Sequence, residues 1–204
     1  MKSSGFGNTT NAWESHSDCV NVMPSPLTHL AAGAAIAFLK QHASGFAGIL
    51  ASWKLWLVCL FFSIAPDLDA VIGIVMNDMP AYHNQASHSL LFGLVACVLF
   101  LPVTCKLLPE WRVGHVLLLS FTCYSLHLVL DWMTYGRGVK LFWPVLHERF
   151  RAPFELFHGV RWSEGVISAS HVDTVINECG ILLVAAGLFL LGRMIAARLK
   201  NSRQ

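Results

Sequence analysis

Seven side chains carry the chemistry that stands out in this chain: His29, Asp67, Asp69, His83, His88, His127 and Asp131. Imidazole and carboxylate together bind zinc, manganese or iron(II), whereas all-oxygen sites favour magnesium or calcium. His127 and Asp131 are four residues apart in an apolar stretch, so on a helix their side chains share a face. Asp67 and Asp69 flank a leucine just after Pro66, and carboxylates so close repel unless a cation lies between them. The donors exceed what one zinc needs. A centre of one or more divalent ions is expected, zinc first and manganese or iron as alternatives, with a bridging water as nucleophile. Asp69 doubles as a candidate catalytic carboxylate, and Glu164 is a candidate general base.

Plainer roles compete with these. His29 could cap a helix, and Asp67 and Asp69 could cap the start of another, where acids are favoured. His83 lies in a polar loop and could be a solvated histidine. An acid such as Asp131 near a helix C-terminus opposes the helix dipole, which is a cost without structural purpose. His16, His42 and His115 are read as background, and His147, His158, His171 and Asp173 as surface residues of the long connection.

The elements that must position these residues follow from composition. Apolar residues make up 55% of the 204-residue chain and charged residues 13%, against about 25% charged in soluble domains. Four segments approach the roughly 20 apolar residues needed to cross a bilayer: residues 46–65, 88–108, 113–130 and 176–197. A shorter helix at 27–38, rich in Ala and Gly, packs among them, as small residues allow in membranes. The fold class expected is therefore an all-α integral membrane bundle of four spanning helices plus a short N-terminal helix. Residues 1–26 read as a flexible tail, 27–197 as the embedded domain and 198–204 as a basic tail. The long connection at 132–175 is rich in aromatic and basic residues, which suits a segment lying at the membrane interface. The net charge of +2 gives no reason to expect nucleic acid as a partner. Six cysteines without a CxxC pair offer neither a disulfide framework nor a thiolate zinc site.

Threading the segments alternately up and down places all seven candidate ligands at one end of the bundle. The other end carries Lys40, Lys106, Glu110 and Arg112. Basic residues are too evenly divided between the ends to fix orientation, with a lean towards a cytoplasmic C-terminus and an outward-facing cluster.

In order along the chain come Thr28-His29-Leu30-Ala31-Ala32-Gly33, Pro66-Asp67-Leu68-Asp69, His83-Asn84-Gln85-Ala86-Ser87-His88-Ser89 and His127-Leu128-Val129-Leu130-Asp131. Thr134-Tyr135-Gly136 and Leu141-Phe142-Trp143-Pro144 follow. This series resembles the YdjM family, described as LexA-binding, inner-membrane-associated metal-dependent hydrolases. The family is distantly similar to the helical zinc-dependent phospholipase C and P1 nuclease group. The resemblance implies a multi-pass protein of the bacterial inner membrane, a phosphoester or lipid-linked substrate, and LexA as a partner beside the lipid bilayer. Where the family carries an Arg-Gly pair after the first His of the third motif, this chain has Asn84 and Gln85. Lys140, Arg137 or Arg151 would then supply positive charge for an anionic substrate. Two rivals stand beside the hydrolase: a non-catalytic docking protein for a regulator such as LexA, and an ion or proton transporter, since intramembrane acids and histidines also line such paths.

Overall fold

The computed structural model describes residues 22–41, 52–161, 168–169 and 171–201. Glu164, most of the N-terminal tail and the start of the first expected span lie outside these residues. A two-residue strand, β1 (Val22–Met23), leads into helix α1 (Pro26–Gln41). Helix α2 (Trp53–Ile64) follows, then a 3-10 turn (Ala65–Asp67) and helix α3 (Leu68–Val75). A short helix α4 (Met79–Tyr82) and a second 3-10 turn (Ala86–His88) precede helix α5 (Leu90–Leu107). Helix α6 (Val113–Trp132), strand β2 (Val160–Arg161) and helix α7 (His171–Asn201) complete the order. Four stretches are long and apolar enough to cross a membrane: Trp53–Val75, Leu90–Leu107, Val113–Trp132 and His171–Ala196. The protein is thus an all-α, multi-pass bundle with the shorter α1 packed against α2 and α6.

The first span departs from expectation in one respect that matters. The chain does not leave the helix at Pro66 but tightens into a 3-10 turn and continues as α3. Proline has no N–H to give, so it is tolerated where a helix begins, and Leu68, Val71, Ile72, Ile74 and Val75 keep the continuation apolar. Asp67 and Asp69 therefore sit at a break within the span rather than in a loop beyond it.

The core is apolar and is built mainly from α2, α5 and α6. Val58, Cys59 and Phe62 of α2 pack with Cys97 of α5 and with Val116, Leu119, Cys123 and Leu128 of α6. Helix α1 approaches α2 closely at Gly33, where an added Cβ would lie 2.8 Å from the Cys59 carbonyl oxygen and 2.4 Å from Ser63 Oγ. Only glycine allows this approach, and it brings His29, one turn earlier on α1, against the end of α2.

Helix α7 stands apart from the core. Its first turns touch the rest of the fold, and Leu183, Val184, Leu188, Leu190, Leu191 and Met194 beyond them are exposed, as suits a lipid-facing span. The tie is Glu178, fully buried, whose carboxylate accepts hydrogen bonds from the Ser25 N–H (2.7 Å), the Ser25 hydroxyl and the Thr28 hydroxyl (2.6 Å). An acid there also complements the positive N-terminal end of α1. Strands β1 and β2 pair antiparallel with Val22 opposite Arg161, fixing the chain just ahead of α1.

Within the connection expected at 132–175, residues 134–157 are ordered by backbone pairing. Bridges join Thr134 to Phe157 and Val139 to Phe150. Gly138 takes φ +76°, a left-handed conformation that favours glycine, and a Cβ there would meet the Phe150 carbonyl oxygen at 2.6 Å. This folding presses the segment 137–151 against the loop that carries His83.

Candidate metal centre

Five elements deliver the candidate ligands. His29 comes from the first turn of α1, Asp67 from the 3-10 turn between α2 and α3, and Asp69 from the start of α3. His83 and His88 bracket the second 3-10 turn, and His127 and Asp131 lie one turn apart near the end of α6. All seven converge. His29, His88 and His127 are fully buried, His83 is 2% exposed and Asp131 4%.

Two focal points organise the cluster. Asp67 Oδ1 faces the Nε2 atoms of His127 at 3.5 Å, His88 at 3.6 Å and His83 at 4.0 Å. Asp131 Oδ2 faces the Nε2 atoms of His88 and His127, each at 3.2 Å, and its Oδ1 faces His29 Nε2 at 3.3 Å. His88 and His127 belong to both sets, their Nε2 atoms 3.4 Å apart. Three groupings of three side chains could each hold an ion: His29, Asp67 and His127; Asp67, His83 and His88; His88, His127 and Asp131.

The rings are aimed by what their other nitrogens touch. His127 Nδ1 lies 2.8 Å from the Ser63 carbonyl oxygen. A carbonyl only accepts, so Nδ1 carries the hydrogen and Nε2 presents its lone pair to the cluster. That carbonyl is available because the α2 ladder ends at Pro66, leaving last-turn acceptors open. His83 Nδ1 donates to Asp69 Oδ1 at 2.6 Å. His88 Nδ1 lies 3.0 Å from the Ser87 hydroxyl and 3.3 Å from Asp69 Oδ2. Carboxylate and carbonyl partners behind ligating histidines are the usual second layer of metal sites.

Asp69 therefore stands behind the histidines. Its oxygens accept from His83, from the Asn84 N–H at 3.1 Å and from the Ser87 hydroxyl. Asn84 holds φ 58°, a left-handed conformation that asparagine tolerates better than most residues. The conformation lets its N–H reach Asp69 while its side chain donates to the Gly138 carbonyl at 3.1 Å.

Ser87 is not the cap of α5 that its position suggests. Ser89 caps that helix, accepting from the Phe92 N–H at 3.2 Å, and the freed Ser87 hydroxyl serves Asp69 instead. Sequence reasoning also passed over the Ser63 carbonyl and over Tyr124, whose hydroxyl donates to the Ser87 carbonyl. A tyrosine one turn before His127 was the available signal for the second; a backbone acceptor gives none.

The donor set fits a divalent ion on two counts. Two ligands about 2.0–2.1 Å from a tetrahedral zinc lie roughly 3.3 Å from each other, and the facing donors here are 3.2–3.6 Å apart around His88 and His127. Among the described residues, both oxygens of Asp131 and both ring nitrogens of His29 are buried without a hydrogen bond. His29 Nε2 and the Asp131 oxygens face other donors of the cluster as ligands do rather than as bonded partners. His88, outside the spans, shows the electrostatic demand. Burial would lower its pKa, yet the facing carboxylates of Asp131, Asp67 and Asp69 hold it well above the ordinary value. The pocket favours positive charge, which a shared cation would also supply.

A family model described as the YdjM inner membrane protein matches residues 23–200. The chain belongs to the YdjM family. No curated protein and no solved structure matches it. For a YdjM family member the location follows with the fold: the inner membrane, crossed several times, with a lipid bilayer as the immediate surroundings. The match reaches well beyond Pro144, so the ordered segment after it and most of α7 are part of the family's chain as well.

Proposed function

We propose that the protein is a membrane-embedded, metal-dependent hydrolase acting on a phosphoester or lipid-linked substrate. The observation that supports this best is the buried meeting of four imidazoles and two carboxylates at ligand-to-ligand spacing. His29, Asp67, His83, His88, His127 and Asp131 would hold the ion or ions, with zinc the best match to a mixed nitrogen and oxygen set and manganese or iron(II) the alternatives. A divalent ion so held supplies Lewis acidity and makes a bound water acidic enough to react near neutral pH.

The residues divide the remaining work. Asp67 is the member of the ligand set that reaches solvent, its side chain 21% exposed where Asp131 is 1%. Water and substrate would enter along its open edge, and its carboxylate is placed to receive a proton there. Asp69 is a positioning residue, holding His83 and His88 by their Nδ1 sides. Glu164 keeps its proposed part as general base. Phe62, Cys123 and Leu128 belong to an apolar core that adjoins the cluster, which favours a reaction pocket over a polar path for ion transport. LexA is a partner only by proposal; Lys40, Lys106 and Arg112 offer positive charge for such a contact at the other end.

The deciding experiment is metal analysis of the full chain purified in detergent, with phosphodiester cleavage assayed on the same sample. Bound zinc, manganese or iron with metal-dependent cleavage supports the hydrolase. A metal-free wild type, or a His127→Ala variant with unchanged metal content, sinks it and leaves the docking protein as the better reading.

A further inference from the structure

Three cations gather beside the candidate metal centre, donating to neutral groups of the loops around it. Lys140 Nζ donates to Gln85 Oε1 at 2.7 Å, and an Arg149 terminal nitrogen reaches the same oxygen at 3.4 Å. Arg149 also donates to the carbonyls of Asn84 (3.0 Å) and Gly138 (2.9 Å). Arg137 donates to the His83 carbonyl at 2.6 Å. All of these acceptors are neutral. Among the described residues, neither Lys140 nor Arg149 forms an ion pair with a carboxylate. Burial, then Arg149 and Arg137, push the Lys140 pKa down; burial, then Arg137, do the same to Arg149. Like charges brought together in this way repel, and an anion seated among them removes the repulsion and gains charge-assisted hydrogen bonds.

An apolar groove starts where this cluster ends. A cavity of about 460 Å³ is lined by Leu90, Leu94, Phe121, Leu141, Phe142 and Trp143. Leu141 directly follows Lys140, and Leu90 lies two residues after His88. The Leu90 N–H donates to the Leu141 carbonyl at 3.0 Å, fastening the two walls together. The loops that carry the cations and the candidate ligands thus run straight into one greasy trough on a chain already surrounded by lipid.

We propose that Arg137, Lys140 and Arg149 bind the phosphate of an anionic phospholipid whose acyl chain occupies the groove between residues 90–94 and 141–146. This names a substrate class for the hydrolase reading and, for turnover, rests on it. Lipid retention itself does not.

The test is native mass spectrometry of the full chain in neutral detergent, offered phosphatidylglycerol or phosphatidylcholine, with inorganic phosphate as competitor and metal content measured in parallel. Wild type should retain phosphatidylglycerol about tenfold better than phosphatidylcholine. The double variant Lys140→Gln, Arg149→Gln should lose that preference, and Lys140→Arg should keep it. Leu94→Trp, which fills the groove, should weaken lipid retention. Equal retention of the two lipids by wild type, or an unchanged preference in the double variant, overturns the proposal. Inorganic phosphate displacing phosphatidylglycerol at equal concentration assigns the cations to a free anion and overturns the lipid occupant. If the double variant does not fold, the wild-type comparison decides alone. A metal-free protein that still prefers phosphatidylglycerol defeats the hydrolase and supports this inference.

Discussion

His29 and His127 stack face to face, their ring centroids 3.7 Å apart and their planes 20° from parallel. One ring enters from the first turn of α1 and the other from the last turns of α6, and both turn Nε2 towards carboxylates of the same cluster. Two stacked imidazoles are a poor arrangement if both are protonated and a workable one if both are neutral ligands. His127→Ala and Asp131→Ala should therefore each reduce bound metal, measured by mass spectrometry after dialysis, to about one-tenth of wild type or less. Each should also cost about 3–5 kcal/mol of stability, because removing one partner leaves buried polar groups uncompensated.

Asp69→Asn separates positioning from ligation. The amide retains the size of the carboxylate but accepts poorly from His83, Ser87 and the Asn84 N–H together. Metal affinity should fall about 10–100-fold, the usual consequence of altering a group behind a ligating histidine. Competition with a chelator reads the change directly. A complete loss of metal matching that of Asp131→Ala would instead make Asp69 a ligand.

Much of this site is legible in the sequence because membrane threading is a strong constraint. Once the apolar stretches alternate in direction, His29, Asp67, His88, His127 and Asp131 have to meet. The errors come where local chemistry offers two answers. Pro66 reads as a helix end, yet within the first turn of a new helical segment its missing N–H is not needed, and the span runs on to Val75. Ser87 and Ser89 are both good caps, and the one not needed by α5 becomes a partner of Asp69. Arg149 reads as an interface residue because nothing local shows that Gly138 and the Val139–Phe150 bridge fold it back onto Gln85. Glu178 sits alone in a long apolar stretch, and its partners lie some 150 residues away at Ser25 and Thr28.

Gly33 tests the scaffold. A Cβ at this position meets backbone, the Cys59 carbonyl oxygen, so α1 must move away from α2. Gly33→Ala should cost about 1–3 kcal/mol, as overpacking does in tight cores, and should weaken metal retention by displacing His29. Gly114→Ala is the matched control, since nothing lies within 4 Å of its Cβ position. Thermal melts of both variants check the difference; equal midpoints would mean that α1 is not held by close packing.

Glu178 tests the attachment of α7. Glu178→Ala leaves the hydroxyls of Ser25 and Thr28 and the Ser25 N–H without their buried acceptor, a loss of about 2–4 kcal/mol for hydrogen bonds to a charged group. Hydrogen exchange should accelerate at the start of both α1 and α7. Metal should still be bound, because the carboxylate touches no ligand atom. Acceleration confined to α7 would show that α1 is capped without it.

The cationic cluster predicts a pH dependence of its own. Burial, followed by Arg149 and Arg137, holds the Lys140 pKa below the ordinary lysine value. The phosphate is held by the protonated amine, so preference for phosphatidylglycerol should be full near neutral pH and should fall as pH rises through that lowered pKa. A bound anion stabilises the ammonium form and raises the pKa again, so the midpoint should move upward as lipid concentration increases. Lys140→Arg should carry the preference to higher pH, because a guanidinium keeps its proton where an amine loses it. Retention measured across this range decides the point: a flat wild-type profile, or one that Lys140→Arg leaves unchanged, removes Lys140 from the phosphate site.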